Sequence, residues 1–103
     1  MSQHIFEQTV NGQKRRVQLG WDKPCQMFYG IVLEWIEQDG ESYWDEETPV
    51  WSNLYYKLPW DLGLDAIVKE IERFGISVPE HLIQYASVDK KHDAVNRVTY
   101  YTR

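Results

Sequence analysis

The chain has 103 residues, a formal charge of −5 and a pI near 5.1, which is one core's worth of chain and predicts a single domain over residues 1–103. An apolar fraction of 43% and an aromatic fraction of 15% suffice for a packed interior and argue against disorder. The acidic balance argues against direct binding to nucleic acid or to an anionic membrane; the basic runs Lys14-Arg15-Arg16 and Lys90-Lys91 are too short for a polyanion footprint.

Residues 4–10 read as a strand, and Asn11-Gly12 supplies the two positive-φ positions of a type I′ hairpin turn. The return strand alternates, with Val17, Leu19 and Trp21 on one side, until Asp22-Lys23-Pro24 breaks it. Lys14-Arg15-Arg16 then falls at the solvated end of that strand. Over residues 26–37 one face, Tyr29, Ile31, Leu33 and Trp35, is fully apolar, and the other, Phe28, Gly30, Val32, Glu34 and Ile36, is mostly so. Such a strand belongs in the middle of a sheet. It ends at Gln38-Asp39-Gly40, a polar acidic connection runs to Pro49, and strand character resumes over 50–55, so residues 26–55 read as a long hairpin with an acidic tip.

The period then changes. Leu64, Ile67, Val68, Ile71 and Phe74 follow helical spacing and predict a helix over 62–74, with Asp61 to cap it and Gly75 to stop it. Ser77-Val78-Pro79-Glu80 reads as a capping box opening a short helix to about Val88, and residues 96–101 close as a strand. The expected fold class is α+β, an antiparallel sheet of about five strands with two helices on one face, in the order ββββααβ. Val17, Leu19, Ile31, Leu33, Ile67, Val68 and Ile71 are its expected core.

No motif carries a reaction. One cysteine, Cys25, excludes an internal disulfide, fits a reducing compartment and has no evident histidine partner. Asp89, His92 and Asp93, with His81 nearby, have no standard ligand spacing, so no metal is expected. No nucleophile elbow or phosphate-cradling glycine loop is present, and no catalytic residue or cofactor is expected. Met1 to His4 has no basic n-region, and neither an apolar leader nor a membrane-length run follows, which predicts a cytoplasmic protein.

The distinctive block is aromatic and acidic. All five tryptophans lie between Trp21 and Trp60, and residues 24–56 hold seven carboxylates and no Lys or Arg. Trp21, Phe28, Trp35 and Trp51 suit a core. Tyr43 and Trp44, set among Glu37, Asp39, Glu41, Asp45, Glu46 and Glu47, suit an interface anchor instead.

The order Gly20-Trp21-Asp22-Lys23-Pro24, then Trp51-Ser52-Asn53-Leu54, then Phe74-Gly75-Ile76-Ser77-Val78-Pro79 resembles a set of small bacterial proteins that share these short motifs over nearly the whole length. The resemblance implies a compact α+β fold and carries over no catalytic residue. The connection at 41–49 is longer than that group would have it.

The reading that follows is a non-enzymatic interaction module. Its partner-binding residues would be Tyr43, Trp44, Asp45, Glu46, Glu47, Glu37, Asp39 and Glu41, docking on a basic protein surface, in the extreme form as an inhibitor that imitates nucleic acid. The alternative is a small ligand-binding or enzymatic protein with a pocket near Trp21–Pro24. Because two helices cover one face of a sheet whose central strand is apolar on both, a homodimer is a further expectation.

Overall fold

The computed structural model describes residues 2–24, 26–53, 63–92 and 97–101. Strands β1 (Ser2–Val10) and β2 (Gln13–Asp22) form the first hairpin, turned by Asn11 and Gly12 at φ 51° and 80°. That left-handed pair sets Val10 opposite Gln13 and fixes every later pairing of the ladder. Strand β3 (Met27–Gln38) runs antiparallel to β2, and a second left-handed pair, Asp39 and Gly40, returns the chain as β4 (Glu41–Trp44). A two-residue strand, β5 (Trp51–Ser52), pairs with β3 further along the same edge. Helices α1 (Leu64–Glu72) and α2 (Glu80–Lys91) follow, and β6 (Arg97–Tyr101) closes the order.

The sheet order is β4-β3-β2-β1-β6, with β5 beside β3. The α+β class and the central place of β3 agree with the sequence, but among the described residues the sheet has six strands and is mixed rather than antiparallel, because β6 runs parallel to β1. The reason lies in α2. Its first turn sets His81 against Tyr101, and its last turns set Asp89 against His4 and Lys90 over Trp21. The chain therefore leaves α2 at the end of the sheet where β1 begins, and β6 must run in the direction of β1.

Both helices cover one face. Phe6, Val17, Leu19, Trp21, Phe28, Val32 and Trp51 of the sheet pack there against Leu64, Ile67, Val68 and Ile71 of α1 and Leu82 and Ala86 of α2. Gly30 makes the close approach possible: a Cβ there would sit 2.6 Å from Ile67 Cγ2. The opposite face buries Ile5, Tyr29 and Leu33. Ile31, expected in the core, is only half-buried on that face.

The helix ends differ from their sequence signals. Gly63 stands at the N-cap of α1 without a side-chain bond, and Asp61 lies outside the described residues. The Ser77–Glu80 capping box does not form, because Pro79 takes the N-cap and Ser77 is held elsewhere. Gln8 of β1 binds it twice, accepting from the Ser77 N–H at 2.8 Å and donating to its carbonyl at 2.9 Å. A tertiary tie has displaced a local cap, and α2 runs on past Val88 to Lys91.

Candidate functional site

The acidic block divides into two parts in space. Trp35 stands opposite Trp44, so an unbroken strand would place Thr48 opposite Ile31; Ser52 stands there instead, four residues on. Hydrogen bonds from Asp45 N to the Glu34 carbonyl and from Val50 N to the Val32 carbonyl pin both ends of the slip. Residues 46–49 are thus looped out of an otherwise continuous edge. Asp45 closes the loop by accepting from Thr48 N–H at 3.1 Å. The hairpin tip is Asp39-Gly40, while Glu46 and Glu47 project from a bulge lower down the same edge, both exposed.

Tyr43 and Trp44 occupy strand β4 rather than the tip, and as strand neighbours they point to opposite faces. Tyr43 is 45% exposed. Trp44 is half-buried on the helix-free face, edge-on to Trp35 at 5.0 Å between ring centroids, with the Arg16 guanidinium 4.9 Å from its ring. Lys14 lies over the Trp35 ring in the same manner. Arg15 faces Glu34 at 3.5 Å, and Arg16 also bonds Glu7 at 2.9 Å. The basic run that sequence reasoning placed at a solvated strand end is therefore laid against the aromatic strands, by a register that puts Arg15 opposite Glu34. Each cation–π contact is worth about 0.5–1 kcal/mol at such sites. Glu37 accepts from the Trp35 indole N–H at 3.1 Å, and Asp39, Glu41, Glu46 and Glu47 remain in solvent.

No family model, curated protein or solved structure matches this chain. What the molecule does must be read from its own geometry.

The alternative location is the bend at Trp21–Pro24. Trp21 is buried, edge-on to Phe28 at 5.2 Å, and the Lys90 ammonium lies over both rings. Among the described residues, one depression of about 370 Å³ is lined by Glu7, Gln8, Thr9 and Lys14, and another of about 250 Å³ by Gly12, Gln13, Lys14, Glu34, Trp35 and Glu37. Each has charged side chains in its wall, beside buried Gln8 in the first and half-buried Trp35 in the second.

Sequence reasoning missed one buried polar constellation. His4 and Asp89, each about 1% exposed, are joined through His4 Nε2 and a carboxylate oxygen, and His4 Nδ1 meets the Tyr101 hydroxyl at 2.7 Å. With a neutral ring, Nε2–H donates to Asp89 and the phenol donates to Nδ1. The partners come from β1, α2 and β6, so the cluster clasps the last strand and last helix onto the first strand. The His81 and Tyr85 rings cover Tyr101 from outside. Nearby, Tyr29 donates its hydroxyl to the Ser2 carbonyl at 2.8 Å. Burial pushes its pKa up to about 12; the Gln18 amide bond opposes the rise, and the Asp22 and Asp89 charges add to it. Among the described residues, no group of three or more His, Cys, Asp or Glu side chains is placed to hold a metal ion, and no helix is long and apolar enough to cross a membrane.

Proposed function

We propose that this protein is a non-enzymatic interaction module whose β3–β4 hairpin and acidic bulge dock on a basic surface of another protein. The supporting observation is the division of charge along this edge. Arg15 and Arg16 are engaged by Glu34, Glu7 and the Trp44 ring, while Asp39, Glu41, Glu46 and Glu47 face solvent beside a half-exposed Tyr43. A one-signed exposed cluster steers a partner of opposite charge, and a neighbouring aromatic supplies the contact that holds it. Trp44 supports the surface from behind, stacked with Trp35 and Arg16, and Tyr43 is the residue that meets the partner.

The test compares wild type, Tyr43→Ala and the triple variant Glu41→Gln/Glu46→Gln/Glu47→Gln, immobilised and exposed to host lysate. Affinity for the captured basic protein is then measured at several salt concentrations. Tyr43→Ala should weaken binding at least about tenfold through faster dissociation. The triple variant should slow association and flatten the salt dependence. Equal, salt-independent binding by all three proteins would reject the surface.

A further inference from the structure

Tyr101, His4 and Asp89 are arranged as a proton relay as well as a clasp. An isolated phenol gives up an electron with difficulty, because the radical cation left behind is a strong acid that must shed its proton at once. A base already hydrogen-bonded to the hydroxyl removes that obstacle. Tyr101 has one: its hydroxyl meets His4 Nδ1 at 2.7 Å, within reach of direct proton transfer. Across the ring, Asp89 holds His4 Nε2–H and so fixes the tautomer that leaves Nδ1 open to accept. The same carboxylate balances the imidazolium that forms when the proton arrives. His4 and Asp89 are both buried, so the proton stays inside the protein.

No other described tyrosine is so placed. Tyr29 is wholly buried, but it donates to the Ser2 carbonyl at 2.8 Å and accepts from the Gln18 amide at 3.1 Å, and neither group is a base. Tyr43, Tyr85 and Tyr100 are exposed and give their protons to water. The electron also has a way out. The Tyr101 ring is half-buried, with the rings of His81 and Tyr85, both exposed, at 5.2 and 6.4 Å between centroids.

We propose that Tyr101 is a redox-active tyrosine, giving one electron to a one-electron oxidant at the protein surface while its proton passes to His4. The Tyr101 O–H bond breaks and an Nδ1–H bond forms on His4. The electron goes to an oxidant of the peroxyl-radical class, which becomes a hydroperoxide anion and takes a proton from water. What remains in the protein is a neutral phenoxyl radical beside an imidazolium paired with Asp89. A one-electron reductant of the ascorbate class restores the phenol, and His4 returns the proton. This activity is independent of what the acidic hairpin binds.

Mixing the whole protein with hexachloroiridate, a one-electron oxidant, and freezing it for electron paramagnetic resonance tests the proposal. Wild type should give a phenoxyl signal that narrows when its tyrosine rings are deuterated, which separates it from a tryptophan radical. Tyr101→Phe should lose that signal, and Tyr29→Phe should keep it. Double resonance in heavy water should find a deuteron hydrogen-bonded to the phenoxyl oxygen, the one transferred to His4, which a purely structural contact does not require. His4→Asn keeps a polar side chain but no base and should slow radical formation; should that variant not fold, the deuteron measurement on wild type decides alone. The proposal is overturned by a wild type that forms no phenoxyl radical, by a signal that survives Tyr101→Phe, or by a phenoxyl oxygen with no bonded deuteron. A folded His4→Asn protein that forms the radical as fast as wild type overturns it equally.

Discussion

Removing the carboxylate of Asp89 should cost this fold measurable stability. Asp89→Ala leaves His4 Nε2–H facing a cavity where both residues had been about 1% exposed, so water cannot replace the lost acceptor freely. Leaving a buried neutral donor without its acceptor costs about 1–3 kcal/mol, against a total stability on the order of 5–15 kcal/mol for a domain. With a urea m-value of about 2 kcal/mol/M for a chain of this size, the midpoint should fall by about 1 M. Tyr101→Phe removes the hydrogen bond to Nδ1, a loss of about 0.5–1.5 kcal/mol. The decisive member is His4→Leu/Asp89→Leu, which deletes both polar partners and fills their volume. It should recover most of the loss, because a well-packed apolar pair often matches or exceeds a buried polar one. Urea unfolding followed by circular dichroism reads all four proteins. A midpoint shift under about 0.5 M for Asp89→Ala, or a double variant as unstable as the two singles added, would refute the view of this pair as a coupled clasp.

Two further outcomes follow from the ground around Ser2. In Gly20→Ala the new Cβ would lie 2.0 Å from the Ser2 carbonyl oxygen and 2.8 Å from Tyr29 Cε1, so backbone must move; a loss of about 1–3 kcal/mol or more is expected. Thermal unfolding should drop by about 5 °C or more, and an unchanged Tm would contradict the close approach. Tyr29 makes stability sensitive to alkali. Its folded pKa, about 12, exceeds the ordinary 10, so its contribution is complete below pH 10 and is lost as pH rises through 12. The loss amounts to about 2–3 kcal/mol by linkage. Tyr29→Phe should remove that slope between pH 10 and 12 in urea unfolding, and an identical slope in the variant would exclude Tyr29 as its source.

What could be read from the sequence was what is decided locally. Asn11-Gly12 is a turn because both positions need positive φ, and the alternation of Val17, Leu19 and Trp21 is the signature of a half-buried strand. The double-sided apolar run at 27–36 placed β3 centrally for the same kind of reason. The parts that escaped depend on partners far away in the chain. Ser77 and Glu80 look like a capping box until Gln8, 69 residues upstream of Ser77, takes its backbone groups. His4 and Asp89 carry no mutual signal, being 85 residues apart, and only the placement of His4 on the same strand face as Phe6 hints that it turns inward. The candidate surface was half legible. The exposed carboxylates are where their polarity implied, but the pairing of Arg16 with Trp44 required the register of three strands at once.

The parallel pairing of β1 with β6 also governs when this molecule can finish folding. Strand β1 is made first and β6 last, so the inner edge of β1 has its neighbour β2 early but lacks the other until residues 97–101 have been synthesised. At about 5–20 residues per second, a nascent chain spends several seconds with a β-hairpin formed and the far side of β1 open. Contacts of such long sequence separation are also the slowest to close in free solution. During that interval His4 sits on an unfinished edge, without the phenol and carboxylate that later hold it. The ribosome exit, rather than the mature surface, is then where this chain is most exposed to wrong strand partners. The polar clasp works as a late lock, closing only once the two ends of the fold have met.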